Sequence, residues 1–468
     1  MQSLTIEQIL EGVSGTLLCG DKQARVNSVS TDSRTVSGGT LFIPLKGERF
    51  DAHDFIQTAV KNGASAVLTH KRIHEIPGVS VILVKDTKRA LAELAKFYKQ
   101  LYSVPTVAVL GSVGKTTTKD MVAGVLSQQY HTLKTQGNYN NEIGLPLTIF
   151  GLEAEHEAAV LEMGMSGFGE IEKLADIGRP DIAVMTNIGV SHIEKLGSRE
   201  NIFKAKMEVT KLFTEKNTLV ANADDDFLSA VRGMGPYRVL YYGISNPQCD
   251  IKAENIQDHG LDGIDFVISY QGEKYPVAVP VAGVHNVYNA LAAFGAGILF
   301  GIAPEKILAG IRSFELTKMR MSVEEFDGIT VINDCYNAAP DSVKAAVKVL
   351  AASGREKRKI AVLGDVLEMG EFAKEAHLSM GKAAANAGID VLIAAGKNSG
   401  YTAQAAAEGD LAVYWFETTQ EAAEFAVNFV KPGDSVLIKA SRGMHFEAIY
   451  QALKDGPKKP APVSRELT

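Results

Sequence analysis

The run Gly111-Ser112-Val113-Gly114-Lys115-Thr116-Thr117-Thr118 carries the most specific chemistry in the chain. An apolar segment, Thr106 to Leu110, leads into it, and a helical segment from about Lys115 to Gln129 leads out. Glycines at such a junction let backbone N–H groups turn toward phosphate oxygens at a helix N-terminus. Lys115 is then placed to reach the β- and γ-phosphates of a nucleotide, and the Thr116 hydroxyl to meet Mg²⁺. The full phosphate-loop spacing would put a glycine at position 109, where this sequence has Val109. A glycine-rich turn with an incidental lysine shares part of the pattern, but Gly-Lys-Thr-Thr between strand and helix favours nucleotide binding. No Asn-Lys-x-Asp guanine reader follows, and no switch-like Asp-x-x-Gly after a second strand, which disfavours a GTPase or a motor. The best apolar strand ending in an acid, Ile360 to Asp365, falls too late in the chain and reads as the end of a strand in a second sheet.

Other polar residues are singled out by position. Glu162 follows the strand Ala158 to Leu161, and His192 lies in the loop after the strand Asp181 to Thr186. Those are carboxyl ends of parallel strands, where open α/β sheets place their ligands. Taken alone, a Glu or His so placed is more often a solvated side chain or a cap than a ligand. Lys206 sits among Lys204 and Lys211, the pattern of a solvated helical face. Asp32, Arg34 and His53 suit turns or caps, and His285 suits a helix start. Asp334 and Arg442 follow strands and are open to salt bridging. Arg320, beside Lys318, is either a phosphate contact or a hinge ion pair.

The elements that must position these residues fall into three blocks. Short strands (Thr40 to Pro44, Ala66 to Leu68, Val79 to Val84) with helices His53 to Asn62 and Thr87 to Leu101 make the first, closed by Pro105. The second runs from Thr106 through apolar strands to Asn217–Ala221, then a hairpin (Ile264 to Tyr270, Tyr275 to Val281) and a helix from Asn286 to Leu299. Apolar strands separated by helices imply a mainly parallel sheet covered on both faces. The third holds strands Thr330 to Asn333, Lys359 to Leu363, Val391 to Ala394, Val413 to Phe416 and Ser435 to Lys439, a smaller doubly wound domain.

With 468 residues, 46% hydrophobic and 22% charged, the chain has the composition of a multidomain globular protein. A net charge of -7 argues against a general nucleic-acid binder. No run approaches the roughly 18 apolar residues needed to cross a bilayer. The N-terminus has neither the basic nor the apolar region of a signal peptide. Three scattered cysteines, Cys19, Cys249 and Cys335, read as reduced, buried thiols without metal-ligand spacing.

The ordered set of motifs resembles the Mur ligases, the peptidoglycan amide ligases, over nearly the whole chain. The short phosphate loop lacking the first glycine is similar to theirs. So are Ser30-Thr-Asp-Ser-Arg34 with Gly39-Thr-Leu-Phe-Ile-Pro44 and Gly47, the loop Gly137 to Pro146, and Gly283-Val-His-Asn-Val-Tyr-Asn-Ala-Leu-Ala292. The resemblance implies that Glu162, His192 and Thr116 ligate Mg²⁺, two ions in all, and that Lys206 is carbamylated and joins them. Lys115, Lys206 and His192 become the catalytic set. It implies ATP contacts from the loop Gly111 to Thr117 and from Asn286, Asn289 and Arg320. Ser30, Asp32, Ser33, Arg34, Asn138 and Asn141 fall to the UDP-substrate. Asp334, Tyr336, Asn337 and Arg442 fall to a dipeptide or to domain closure. The segments Asp334 to Ser342, Gly364 to Gly370 and Lys439 to Met444 are similar to the branch that adds D-alanyl-D-alanine to UDP-N-acetylmuramoyl tripeptide, and the Asp-Asn-Pro-Arg motif of the diaminopimelate-adding branch is missing. Leu110, Val113 and Ala339 depart from the pattern, standing where the family has Thr, Asn and Asn.

The expectation is therefore three α/β domains: residues 1–102 for the UDP-substrate, 103–315 for a phosphate-loop ATPase, 316–456 Rossmann-like, then a frayed tail at 457–468. The expected enzyme is monomeric and cytoplasmic, working in cell-wall synthesis with ATP, UDP-N-acetylmuramoyl tripeptide and D-alanyl-D-alanine, without nucleic acid or membrane insertion. Its rivals are a related ligase with another amino acid, a phosphate-loop NTPase switch, and a noncatalytic uridine-nucleotide binder. An N-terminal domain before the phosphate loop argues against a folylpolyglutamate synthetase.

Overall fold

In the computed structural model the described residues are 1–47, 50–73, 75–317, 319–354 and 357–456. Lys318 and the segment 457–468 lie outside them. Three larger sheets form in chain order, with five, nine and six strands.

The first sheet runs Thr16–Cys19, Ser80–Leu83, Ala64–Thr69, Thr40–Phe42, Ser28–Ser30 across its width. Its last four strands are parallel, and Thr16–Cys19 joins antiparallel at the edge. Helix Thr87–Gln100 leaves this block and buries Leu91, Leu94, Ala95 and Tyr98. It packs against helices Gly144–Ile149 and Glu170–Gly178 of the second block, where Lys96 pairs with Asp176 at 2.7 Å. The Tyr98 hydroxyl donates to the Leu152 carbonyl at 2.7 Å, so burying the ring leaves its polar tip satisfied.

In the nine-stranded sheet, Thr106–Leu110 lies between Ile182–Met185 and Ala158–Glu162, and all three are parallel. The chain reaches that order by crossing over, with every residue of these strands buried. Glu162, expected just past its strand, is the last strand residue, paired with Val109. The phosphate loop, Glu162 and the loop before His192 therefore leave the sheet at one carboxyl edge. The far edge carries strands Ile264–Tyr270 and Glu273–Val279 antiparallel, the hairpin expected from sequence. Helix Lys115–Leu126, three residues shorter at its end than expected, packs on His285–Leu299 and Pro304–Ser313. Gly310 permits that approach, since a Cβ there would lie 2.5 Å from the Val125 Cα.

The third sheet orders Ser322–Phe326, Ile329–Asn333, Ser435–Lys439, Lys359–Gly364, Val391–Ala395, Ala412–Phe416. All but the first are parallel. Loops 334–339, 365–369 and 440–443 leave its carboxyl edge and face the second sheet. Among the described residues no helix is long and apolar enough to cross a membrane. All three cysteines are free, with Cys335 buried and the other two half-buried rather than fully inside.

Candidate functional site

Gly111 follows a fully buried strand and turns at φ 143°, and a Cβ there would collide with the Thr186 hydroxyl. A side chain at this position is excluded both by backbone and by space. The neighbouring strand end then clamps the loop. Thr186 Oγ1 and Asn187 Nδ2 donate to the Val113 carbonyl at 2.6 and 3.0 Å, while Val113 N–H donates to Asn187 Oδ1 at 3.0 Å. Gly189 N–H donates to Ser112 Oγ at 2.8 Å. The Val113 contacts run through its backbone, so this departure from the family pattern leaves the cradle built. Gly114 at φ 82° starts the helix, and Lys115 donates to the Gly111 and Ser112 carbonyls at 3.0 and 3.2 Å.

Lys206 reaches the same carbonyl, donating to Gly111 O at 2.9 Å with its side chain buried. It is not the solvated lysine of its cluster. Burial first, and the Lys115 ammonium second, push its pKa well below the usual 10.5. Burial lowers Lys115 as well, against an opposing pull from Glu162. Glu162 is 2% exposed; its Oε1 accepts from Asn140 Nδ2 at 2.8 Å, and its Oε2 has no hydrogen-bond partner among the described residues. A buried carboxylate oxygen without a partner is costly, and a hard cation with oxygen preference would satisfy it. His192 presents Nδ1 to Glu368 Oε2 at 2.5 Å, and burial holds its pKa below 6.5 despite Glu368. The neutral imidazole is the form that ligates metal. The residues present thus fit Mg²⁺.

The cleft above the loop has a volume of about 590 Å³ and takes walls from both sheets. Ser112 to Thr117, His192, Asn289, Arg320, Asp334, Asn337 and Arg442 line it. Arg320 donates to Thr116 Oγ1 at 3.3 Å and stacks over the Tyr336 ring at 4.2 Å, with its Nε buried and partnerless among the described residues. That places it at the phosphate loop; no described carboxylate pairs with it. Asp120, on the phosphate-loop helix, accepts from Thr317 N–H and Oγ1 at 3.1 and 2.7 Å and so holds the linker that delivers Arg320. Asp334 pairs with Lys439 at 2.5 Å, and Lys439 also donates to the Asn337 carbonyl at 3.1 Å. Arg442 pairs with Glu447 at 3.5 Å. Asn286 and Asn289 are buried and bonded to each other at 2.8 Å, with Asn289 also accepting from Thr118 Oγ1 at 2.9 Å. His285 begins that helix without capping it.

The residues assigned to the UDP-substrate do not line this cleft. Arg34 and Asp32 pair with each other at 2.6 Å, which lowers the Asp32 pKa to about 2. Ser30 Oγ accepts from Asp32 N–H at 3.0 Å, and the Ser33 carbonyl accepts from Asn62. Asn141 Oδ1 accepts from Ile143 N–H and Gly144 N–H at 3.1 and 2.9 Å in the turn before helix Gly144–Ile149, and Asn138 is exposed. In that loop Asn140, unremarked in sequence, makes the contact to Glu162. Sequence does not single out Asp120, Asn187, Glu368 or Lys439 either, although the last three lie inside segments that resemble the family. His53 Nδ1 bonds Asp51 at 2.6 Å in the first block.

Comparison with known proteins returns three family descriptions in chain order, and all are of ligases. Residues 25–99 match the catalytic domain of the Mur ligase family, 109–297 the Mur ligase middle domain, and 319–442 the Mur ligase glutamate ligase domain. The chain belongs to the Mur ligase family of ATP-dependent ligases. It is 40% identical, over 97% of its length and 99% of the relative's, to the UDP-N-acetylmuramoyl-tripeptide–D-alanyl-D-alanine ligase of Bacillus subtilis (strain 168). A crystal structure of MurF from Acinetobacter baumannii matches with a TM-score of 0.89 at 31% identity, covering 97% of this chain and 99% of that one. The MurF ligase of Thermotoga maritima in complex with ADP matches with a TM-score of 0.80 at 28% identity, covering 92% and 97%.

Proposed function

We propose that this chain joins D-alanyl-D-alanine to UDP-N-acetylmuramoyl tripeptide at the expense of ATP. The observation that carries the reading is the cleft itself, where the clamped phosphate loop and His192 share one space with Arg320 and the Asp334–Lys439 pair, and the buried Lys206 holds the loop from behind at the Gly111 carbonyl. The substrate choice rests on full-length likeness to ligases of that printed name.

A carboxylate oxygen of the tripeptide attacks the γ-phosphorus of ATP, the bond to the ADP oxygen breaks, and an acyl phosphate forms. The dipeptide amine then attacks the acyl carbon, phosphate leaves with the bonding pair, and the amine proton passes to solvent or a nearby base. Repulsion between two anions opposes the first step, so fixed positive groups aimed at the phosphates matter most. Lys115 turns from the loop carbonyls to the β- and γ-phosphates, Arg320 approaches from the linker, and the loop N–H groups hold the nucleotide in line. Asn286 and Asn289 stiffen the helix start beside the adenosine. Asp334, Tyr336, Asn337 and Arg442 border the dipeptide, and the first block, through Ser30, Asp32, Ser33, Arg34, Asn138 and Asn141, receives the UDP moiety.

Thr116, Glu162, His192 and Lys206 would hold Mg²⁺, which when bound neutralises phosphate charge. Lys206 would do so as a carbamate. Its neutral amine adds CO₂ and releases a proton, replacing an ammonium that repels cations by an anionic oxygen donor. Burial of Lys206 supports this, because carbamylation needs the neutral amine. ADP release measured with the UDP-tripeptide, with and without D-alanyl-D-alanine, tests the reading. Release that requires both supports it, and release indifferent to both leaves a simple NTPase.

A further inference from the structure

The loop 365–369 leaves the carboxyl end of strand Lys359–Gly364 and crosses to the second sheet. There Glu368 Oε2 meets His192 Nδ1 at 2.5 Å, and the Glu368 carbonyl accepts a longer bond from Glu194 N–H at 3.4 Å. Both partners stand in left-handed backbone, His192 at φ 64° and Glu368 at φ 61°. Non-glycine residues in that region carry strain that the surroundings must hold in place. Gly370, also left-handed at φ 50°, seats the loop on helix Ile193–Leu196, and a Cβ there would lie 3.0 Å from Glu194 Cγ.

We infer that Glu368 is a positioning residue: it fixes the tautomer and ring plane of His192, and does so only when the third sheet is docked on the second. A neutral imidazole has one N–H, and a carboxylate at Nδ1 draws the proton there, leaving the Nε2 lone pair for a ligand. Carboxylates behind metal-binding histidines serve this purpose widely. The inference rests on the ligase reading and adds a coupling to it. The domain whose loops border the dipeptide also completes His192, so phosphoryl transfer awaits closure.

Two substitutions separate reach from charge. Glu368→Gln keeps the length and a carbonyl acceptor; Glu368→Asn is equally neutral and tolerates φ 61°, but is too short to span the gap. The first readout uses the full chain without metal: ¹⁵N-histidine NMR with the His192 signal assigned by its loss in His192→Asn. The second is Mn²⁺ affinity by electron paramagnetic resonance with a nonhydrolysable ATP analogue. The Nδ1–H tautomer should persist in Gln and give way in Asn, whose Mn²⁺ affinity should fall about 10–100-fold, with Gln far less affected. Equal losses in both variants would mean that charge and not the hydrogen bond matters. No change in either would mean that Glu368 does not position His192. Both results overturn the inference. Neither bears on whether ADP release needs both substrates, which tests the ligase reading separately.

Discussion

Two lysines share one carbonyl at the phosphate loop, and their environments assign them different work. Lys115 sits at the start of its helix with three donors to give, and its value lies in the charge that develops on the transferring phosphoryl group. Lys115→Ala should lower kcat by about 10²–10³ while leaving KM for the UDP-substrate near wild type. Near-normal turnover in a folded variant would contradict the assignment. Lys206 is buried where an ammonium has no carboxylate partner among the described residues, so it is expected to react with CO₂. Lys206→Arg, which keeps a charge that cannot be carbamylated, should lose most activity, and Lys206→Glu should retain more. Acetate should partly restore Lys206→Ala. A ¹³C-carbamate signal after exchange with labelled bicarbonate should be present in wild type and absent in Lys206→Arg. An Arg variant that works like wild type would end the carbamate idea.

At the scale of elements, the phosphate-loop helix does more than start at a phosphate. Asp120 on that helix lies between Lys119 and Lys134, at 3.1 and 3.0 Å, and takes the linker through Thr317. Asp120→Ala would strand the buried Lys119 and should cost about 3–5 kcal/mol in urea unfolding. Thr317→Val loses one donation to a carboxylate, about 1.5–3 kcal/mol, and should lower kcat by loosening the approach of Arg320. Unchanged kcat would show that the linker contact does not serve Arg320. The loop bearing Glu368 has its own anchor, since His377 accepts from Val366 N–H at 3.1 Å and engages the Ala373 carbonyl at 2.7 Å. Burial holds the His377 pKa below 6.5, against weaker pulls from Ala373 and Asp365. The unfolded chain therefore binds more protons as pH falls through 6.5, and stability declines in that direction while staying level above about 7.5. Unfolding at pH 7.5 and 5.5 should show that loss, and His377→Gln should reduce it; an unaltered slope would contradict the anchor.

Much of this element layout is legible in sequence. Thr106–Leu110 and Ser435–Lys439 are apolar runs bounded by turn residues, and sequence reading matches them to the residue. Helix Ile6–Val13 escapes only by its brevity, since Ile6, Ile9, Leu10 and Val13 keep helical spacing and Thr5 and Gln8 form a capping box. Strand Ile251–Asp258 escapes because exposed polar positions dilute its apolar pattern, whereas Arg238–Gly243 carries the apolar run Val239 to Tyr242 and is there to be read. In the site, Lys115 is legible from local spacing. The Glu368–His192 and Asp120–Thr317 contacts are not, because they depend on how sheets and linker dock.

On the proposed reading all three sheets serve one reaction, and we propose joints near residues 100–105 and 314–320 that let them converge. Small-angle scattering should give a smaller radius of gyration with ATP analogue and UDP-substrate than without, and an unchanged radius would argue against closure. Closure matters because the cleft lies between sheets, so neither the phosphate loop nor the loops at 334–339 and 440–443 enclose it alone. The central claim is that this enclosed site couples a tripeptide carboxylate to a dipeptide amine through ATP. It is tested most directly by ADP release with UDP-N-acetylmuramoyl tripeptide, with and without D-alanyl-D-alanine. The account predicts sustained release, with one amide formed per ADP, only when both are present. Sustained ADP release that ignores the dipeptide, or none with both substrates, would contradict it.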